Sequence, residues 1–300
     1  MTNTTWLRDS IIVLVAAALM PVVAAAQTLE RVTSAGTLNI GFVKDAAPFS
    51  SAVAGGGAEG YSIDLCLRVA KYLKSRPGLS QVNIKYTGTT VAEGLDMVAR
   101  GDVDMLCGSI TDTLKRRQSV SFSIPVYNGG IGVLVNDNAD AVLVSVLNGE
   151  VPKKGPIWRA TVNRGLSNHT YAVHAGTVTS DWVQDRVGAL GVQVNIVPVD
   201  SHEAGVKMVA DGKADAYFGD RAILANYSNS IDEVNLLTRY FNYEPIAIVV
   251  PRGDADLRLA VDTVLSELYL SDDFEGLYSK HFGAPPGKTS LMFFKAFARR

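Results

Sequence analysis

The stretch at positions 107–127, CGSITDTLKRRQSVSFSIPVY, concentrates side chains suited to holding an anion. An apolar run ends at Cys107, hydroxyl residues follow at Ser109 and Thr111, and a helix capped by Asp112 or Thr113 is expected next. Free N–H groups at a helix start attract anions. Ser109 and Thr111 add hydroxyl donors, and Arg116 adds a planar guanidinium that matches a carboxylate. The same residues also read as an ordinary capped helix with Arg116 in solvent, and spacing alone does not choose between the two.

A partner for this segment comes from a repeat. Met-Val-Ala-x-Gly-x-x-Asp occurs twice, as MVARGDVD at 97–104 and MVADGKAD at 208–215. Each copy reads as a helix end, a glycine stop and a strand. Gly101 precedes Ser109 by the same interval that separates Gly212 from Asp220. Two similar units thus each bring a polar residue to the end of an equivalent strand, as the two sides of a small-molecule cleft would.

The elements that must position these residues alternate. Strands are expected over 37–42, 82–86 and 103–107, with helices over 61–73 and 90–100 between them. The order recurs as strands over 171–174, 192–198 and 214–218, with helices over 179–190 and 202–210. This predicts an α/β fold of two lobes, each a mostly parallel sheet flanked by helices. A strand over 246–250, helices over 255–270 and up to His281, and a tail from Pro285 close the chain. With both ends of the mature chain in one lobe, strands must cross between lobes near 127–131 and 242–246, forming a hinge. Lobe 1 is then 27–128 plus 246–300, and lobe 2 is 129–245. Residues 149–167, rich in Pro, Gly, Lys and Arg, read as a surface loop with solvated charges.

Composition narrows the function. The chain is 47% apolar, enough for sizeable cores, and its net charge of -2 gives no electrostatic case for nucleic acid. Arg8, an apolar run over 11–23 and Ala24-Ala25-Ala26 form a signal peptide with cleavage expected near Ala26. The run is shorter than the roughly 20 residues of a spanning helix. An exported, periplasmic and monomeric protein is expected. Its two cysteines, Cys66 and Cys107, permit a disulfide and equally permit two buried thiols. Nothing in the chain has metal-ligand spacing, and no cofactor is expected.

The chain resembles the periplasmic solute-binding proteins of polar amino-acid ABC importers. The matching pieces are AAPFS at 46–50, EGYSIDL at 59–65, GDVDMLCGSITDTLKRRQSVSFS at 101–123, HAGTVTSD at 174–181 and GKADAYFGD at 212–220. GYSxD, CGSxT and the Pro285-Pro286 tail look closest to the glutamate/aspartate-binding group. The resemblance implies that Ser109, Thr111 and Arg116 hold a ligand α-carboxylate and that Asp220 accepts the α-ammonium. It implies that Tyr61 packs on the ligand, that Thr177 and Thr179 donate to ligand oxygens, and that His202 contacts the ligand. Closure on the ligand would precede docking on a membrane permease.

The departures are specific. The group's arginines that reach a side-chain carboxylate are replaced by Val43 and Gly94, and Ala46 stands where relatives place an aromatic. Lys44 and Lys207 are off the matching positions. A buried ligand carboxylate without a cation costs several kcal/mol. Glutamate and aspartate are therefore not the expected ligands. A neutral or bulkier polar amino acid is expected, and Glu93 leaves a basic one open. A cyclohexadienyl dehydratase-like enzyme on the same fold is the competing reading, with Glu93 and His202 as its candidate acids.

Overall fold

A computed structural model describes residues 28–150 and 163–300. The proposed signal peptide and most of the 149–167 loop lie outside the described residues. Helix α1 (Thr28–Ala35) leads into β1 (Thr37–Val43). A small antiparallel sheet follows, β2 (Asp45–Ala46), β3 (Ser50–Val53) and β4 (Gly57–Glu59), which the residue pattern did not announce. Then come α2 (Tyr61–Lys74), β5 (Asn83–Thr89), α3 (Val91–Arg100) and β6 (Met105–Cys107). β1 lies between β5 and β6, parallel to both. The second unit repeats the plan after α4 (Ala141–Asn148): β8 (Thr170–His174), α5 (Val178–Leu190), β9 (Asn195–Val199), α6 (His202–Ala210), β10 (Ala216–Asp220) and α7 (Arg221–Ser228). β8 pairs in parallel with both β9 and β10.

The doubled motif is one structural device used twice. Gly101 (φ 81°) and Gly212 (φ 68°) take the left-handed conformation that only glycine adopts without strain. Each lets the next residue turn back: Asp102 N–H donates to Met97 O at 2.9 Å, and Lys213 N–H donates to Met208 O at 2.8 Å. The terminal aspartates then register the next strand. Asp104 exchanges bonds with Asn39, its N–H donating to Asn39 O (2.8 Å) and its Oδ2 accepting Asn39 N–H (2.7 Å). Asp215 makes the same exchange with Thr170, at 2.8 and 2.7 Å.

Two long antiparallel strands join the units. β7 (Val120–Asn136) runs for 17 residues, and β12 (Tyr243–Pro251) pairs along it. The expected crossings lie inside this ribbon, where Glu244 faces Gly129 and Tyr243 faces Gly130. Both glycines are sterically required: a Cβ at Gly130 would stand 2.5 Å from Asn242 O, and one at Gly129 would stand 2.8 Å from Ile246 Cδ1. One end of the ribbon crosses a core built from α1 to β6 and from the chain's C-terminal portion. The other end separates two smaller cores on opposite faces of the second sheet.

The C-terminal portion is α8 (Ala255–Tyr269), α9 (Asp273–Phe282) and α10 (Lys288–Phe297). The last of these was expected only as a tail. It is a helix because Phe294 enters the core against Tyr269 and Phe274. Cys66 on α2 and Cys107 on β6 are disulfide-bonded, which resolves the two readings of that pair. Closing a loop with a separation of 41 residues stabilises by about 4 kcal/mol in the chain-entropy account.

Candidate functional site

The ends of β6 and β10 meet across a cleft that encloses a cavity of about 50 Å³. Of the residues expected to bind, Ser109, Thr111, Arg116, Thr177, Thr179, His202 and Asp220 all line it. Ser109 Oγ donates to Asp220 Oδ2 at 2.9 Å. Asp220 also caps α7, its Oδ1 accepting Ala222 N–H at 2.9 Å. Burial raises the Asp220 carboxyl to about 6 despite these bonds. A buried carboxylate this costly is stabilised by a cation brought to it.

Arg116 stands on the opposite wall. The expected helix is absent: after Ser109 the chain forms an isolated bridge from Thr111 to Ile246, then only a 3-10 turn, Arg116–Gln118. Asp112 is drawn off to Arg117 (2.7 Å), and Thr113 Oγ1 accepts Arg116 N–H (3.2 Å), which leaves no run of helical N–H groups. The guanidinium is placed instead by its own bond to Thr111 O, 2.8 Å from Nη1. Burial lowers its pKa, with Glu244 and Asp181 opposing that shift.

Glu244 was not foreseen. It enters the cavity from the hinge ribbon. Burial raises its pKa, while Arg116, Thr111 and Asn242 hold it down. Its only sequence signal is an acid at the mouth of an apolar strand, directly before Pro245.

The second lobe contributes the start of α5. Thr177, Val178 and Thr179 line the cavity, where the first helical N–H groups have no intrahelical acceptor. The Thr177 hydroxyl, expected as a ligand donor, is engaged in its own helix cap. It donates to His174 O at 2.7 Å and accepts Ser180 N–H at 3.2 Å, so its proton serves the cap. His202 lines the cavity from the first turn of α6, capped by Ser201. Its N–H donates to Asp45 Oδ2 at 2.6 Å, its Nδ1 meets Tyr217 Oη at 2.8 Å, and burial lowers its pKa to about 4. His174 lies beside it, the two rings 4.8 Å apart and edge-on.

Tyr61 is a correction. It is 0% exposed, outside the cavity, with its hydroxyl donating to Val126 O at 3.0 Å and its ring among Phe49, Tyr278 and Phe282. A large ring at the start of α2 is worth more in this aromatic core than at a cleft. Glu93 is a second correction. It is exposed and closes a capping box, accepting Thr90 N–H at 3.2 Å while Thr90 Oγ1 accepts its own N–H at 3.3 Å. Those bonds lower its pKa, and because it does not line the cavity it neither favours a basic ligand nor acts as an acid there.

The positions that lost their arginines are closed. Val43 and Ala46 are buried, and a Cβ at Gly94 would stand 2.7 Å from Leu106 Cδ1. Lys44 and Lys207 are exposed and do not line the cavity, and Lys207 pairs with Asp211 at 3.3 Å.

Known proteins resemble this chain in sequence and fold. The L-glutamate/L-aspartate-binding protein of Pseudomonas aeruginosa is 25% identical over 262 residues, covering 86% of this chain and 80% of that protein. A mutant of ArgBP from T. maritima superposes with a TM-score of 0.70 at 23% identity, covering 85% of this chain and 99% of that one. The ancestral amino acid-binding protein AncCDT-1, a precursor of cyclohexadienyl dehydratase, superposes with a TM-score of 0.68 at 24% identity, covering 86% of this chain and 100% of that one. The fold is thus the two-lobed, type II periplasmic-binding-protein architecture. Residues 38–284 match the model of the bacterial extracellular solute-binding proteins, family 3, and the chain belongs to that family.

Proposed function

We propose that this protein is the extracytoplasmic substrate-binding component of an amino-acid ABC importer. It takes a free α-amino acid into the interlobe cleft and carries it to a membrane permease. One observation carries this reading: a guanidinium and a costly carboxylate line one small cavity from opposite walls. A zwitterion supplies the counter-charge to both at once. Arg116, Ser109 and Thr111 take its carboxylate, with Thr179 assisting from α5, and Asp220 takes its ammonium.

In this reading 27–128 with 246–300 moves against 129–245 about the β7–β12 ribbon. Charge-assisted bonds contribute about 1.5–3 kcal/mol each, and only bonds made in the closed form shift the equilibrium toward it. Export through a cleavable signal at 1–26, action as a monomer and freedom from cofactors belong to the same proposal. The dehydratase-like alternative loses its sequence-based acid, because Glu93 is outside the cleft and His202 is neutral near pH 7.

A thermal-shift screen of the mature protein against the common amino acids tests the reading, since a ligand of the native state raises apparent stability. At least one amino acid is expected to raise Tm by several degrees. No shift with any of them, together with turnover of prephenate or arogenate, would replace transport by catalysis.

A further inference from the structure

We propose that His174, with His202 beside it, reads the ligand side chain and selects a short, uncharged polar one, carboxamide or hydroxyl, over a carboxylate. This rests on the amino-acid-binding reading and deepens it.

His174 ends β8, lines the cavity and is 4% exposed. Its Nδ1 is buried and makes no hydrogen bond among the described residues, although the ring lies close to the backbone of Asp200. Several other cleft groups are engaged within the protein: Ser109 with Asp220, Thr177 with His174 O, and Arg116 Nη1 with Thr111 O. An orphaned buried acceptor or donor is costly to leave unmade. Its place on the cavity wall makes a ligand group its natural partner. His202 adds a second site: Nδ1 is taken by Tyr217, and Nε2 makes no hydrogen bond among the described residues.

The imidazole pair presents hydrogen-bonding nitrogens but no charge. Burial pushes both rings below the usual histidine range. Asp45, on β2, lies against the pair and accepts His202 N–H at 2.6 Å. A ligand carboxylate would therefore meet a negative group and no cation, since Val43 and Gly94 occupy the places where a cation would help. A neutral imidazole can accept from an amide or hydroxyl and donate to its oxygen. A cavity of about 50 Å³ holds only a few water-sized bodies by the same measure, which disfavours long basic side chains.

The test is calorimetry at pH 7.5 on the mature protein with matched pairs, asparagine against aspartate and glutamine against glutamate, plus serine and arginine. Asparagine or serine is expected to bind at least about 100-fold more tightly than aspartate, the scale set by burying an unpaired charge. In His174→Leu that ratio is expected to fall to about tenfold or less, while His174→Asn retains more of it; circular dichroism verifies that both variants fold. Tightest binding of aspartate, glutamate or arginine overturns the proposal, as does a ratio unmoved in both variants. If amino acids bind without such preference, only this inference fails. If none binds, the amino-acid reading fails with it.

Discussion

Ser109 and Asp220 belong to different α/β units, yet Ser109 Oγ donates to Asp220 Oδ2 at 2.9 Å, so one direct hydrogen bond spans the cleft. Asp220 ends β10 and Ser109 lies two residues past the end of β6, and both strands follow equivalent helix–glycine turns. The contact therefore joins the two copies of one structural device. It also holds the carboxylate where an ammonium would displace or share the hydroxyl.

Asp220 has two roles that one substitution pair separates. Asparagine caps helices as well as aspartate does, so Asp220→Asn keeps the bond to Ala222 N–H while removing the charge and the oxygen that accepts from Ser109. Affinity for the preferred amino acid is expected to fall by about 10- to 100-fold, with Tm nearly unchanged. Asp220→Ala loses the cap as well, about 1 kcal/mol of stability. Calorimetry and thermal melts on both variants read the two effects separately. Unchanged affinity in Asp220→Asn would remove Asp220 from the site.

The raised Asp220 carboxyl gives binding a pH dependence. Its pKa in the free protein is about 6. Above that value it is ionised and ready for an ammonium; below it, a proton must be lost before binding. Affinity is expected to be flat above pH 7 and to weaken by roughly tenfold for each pH unit below 6. Titrations between pH 5 and 8 measure this, and Asp220→Asn should flatten the profile.

His202 makes stability, like affinity, weaken in acid. Its pKa is about 4 when folded and about 6.5 when unfolded. The unfolded chain binds the extra proton between those values, so this contribution is full above pH 6.5 and lost as pH falls toward 4. Between pH 7 and 5, His202→Gln is expected to lose less Tm than the parent protein. Equal losses in both would mean that the histidine is not held neutral.

Tyr61→Phe removes a hydroxyl that donates to Val126 O in the core. It is expected to cost about 1 kcal/mol of stability while leaving affinity within about twofold. A large loss of affinity would return Tyr61 to the ligand. The disulfide admits a similar check: replacing both Cys66 and Cys107 by serine is expected to lower stability by about 4 kcal/mol and to spare the ligand preference, because neither residue lines the cavity.

Much of this was legible in the residues. The doubled MVAxGxxD marks two strands led by the same glycine turn, and Asp104 and Asp215 lock each strand to its neighbour in the same way. Ser109, Arg116 and Asp220 follow from those strands. The rest depends on tertiary packing. Tyr61 looks like a cleft aromatic until the rings of α9 surround it. Asp112 looks like a helix cap until the Arg117 side chain claims it, and Thr113 caps only a short turn, its Oγ1 accepting Arg116 N–H. Glu244 sits on a strand with an apolar pattern, and only its pairing with Gly129 turns it toward the cavity. The phenylalanines of α10 look like a tail because their periodicity is short.

The most direct measurement is calorimetry on the preferred amino acid beside two of its analogues, one with the α-carboxylate amidated and one with the α-amine acetylated. The account predicts clear binding of the parent and a loss of at least about 100-fold for each analogue, because Arg116 and Asp220 each lose their counter-charge. Analogues that bind as tightly as the parent would contradict it.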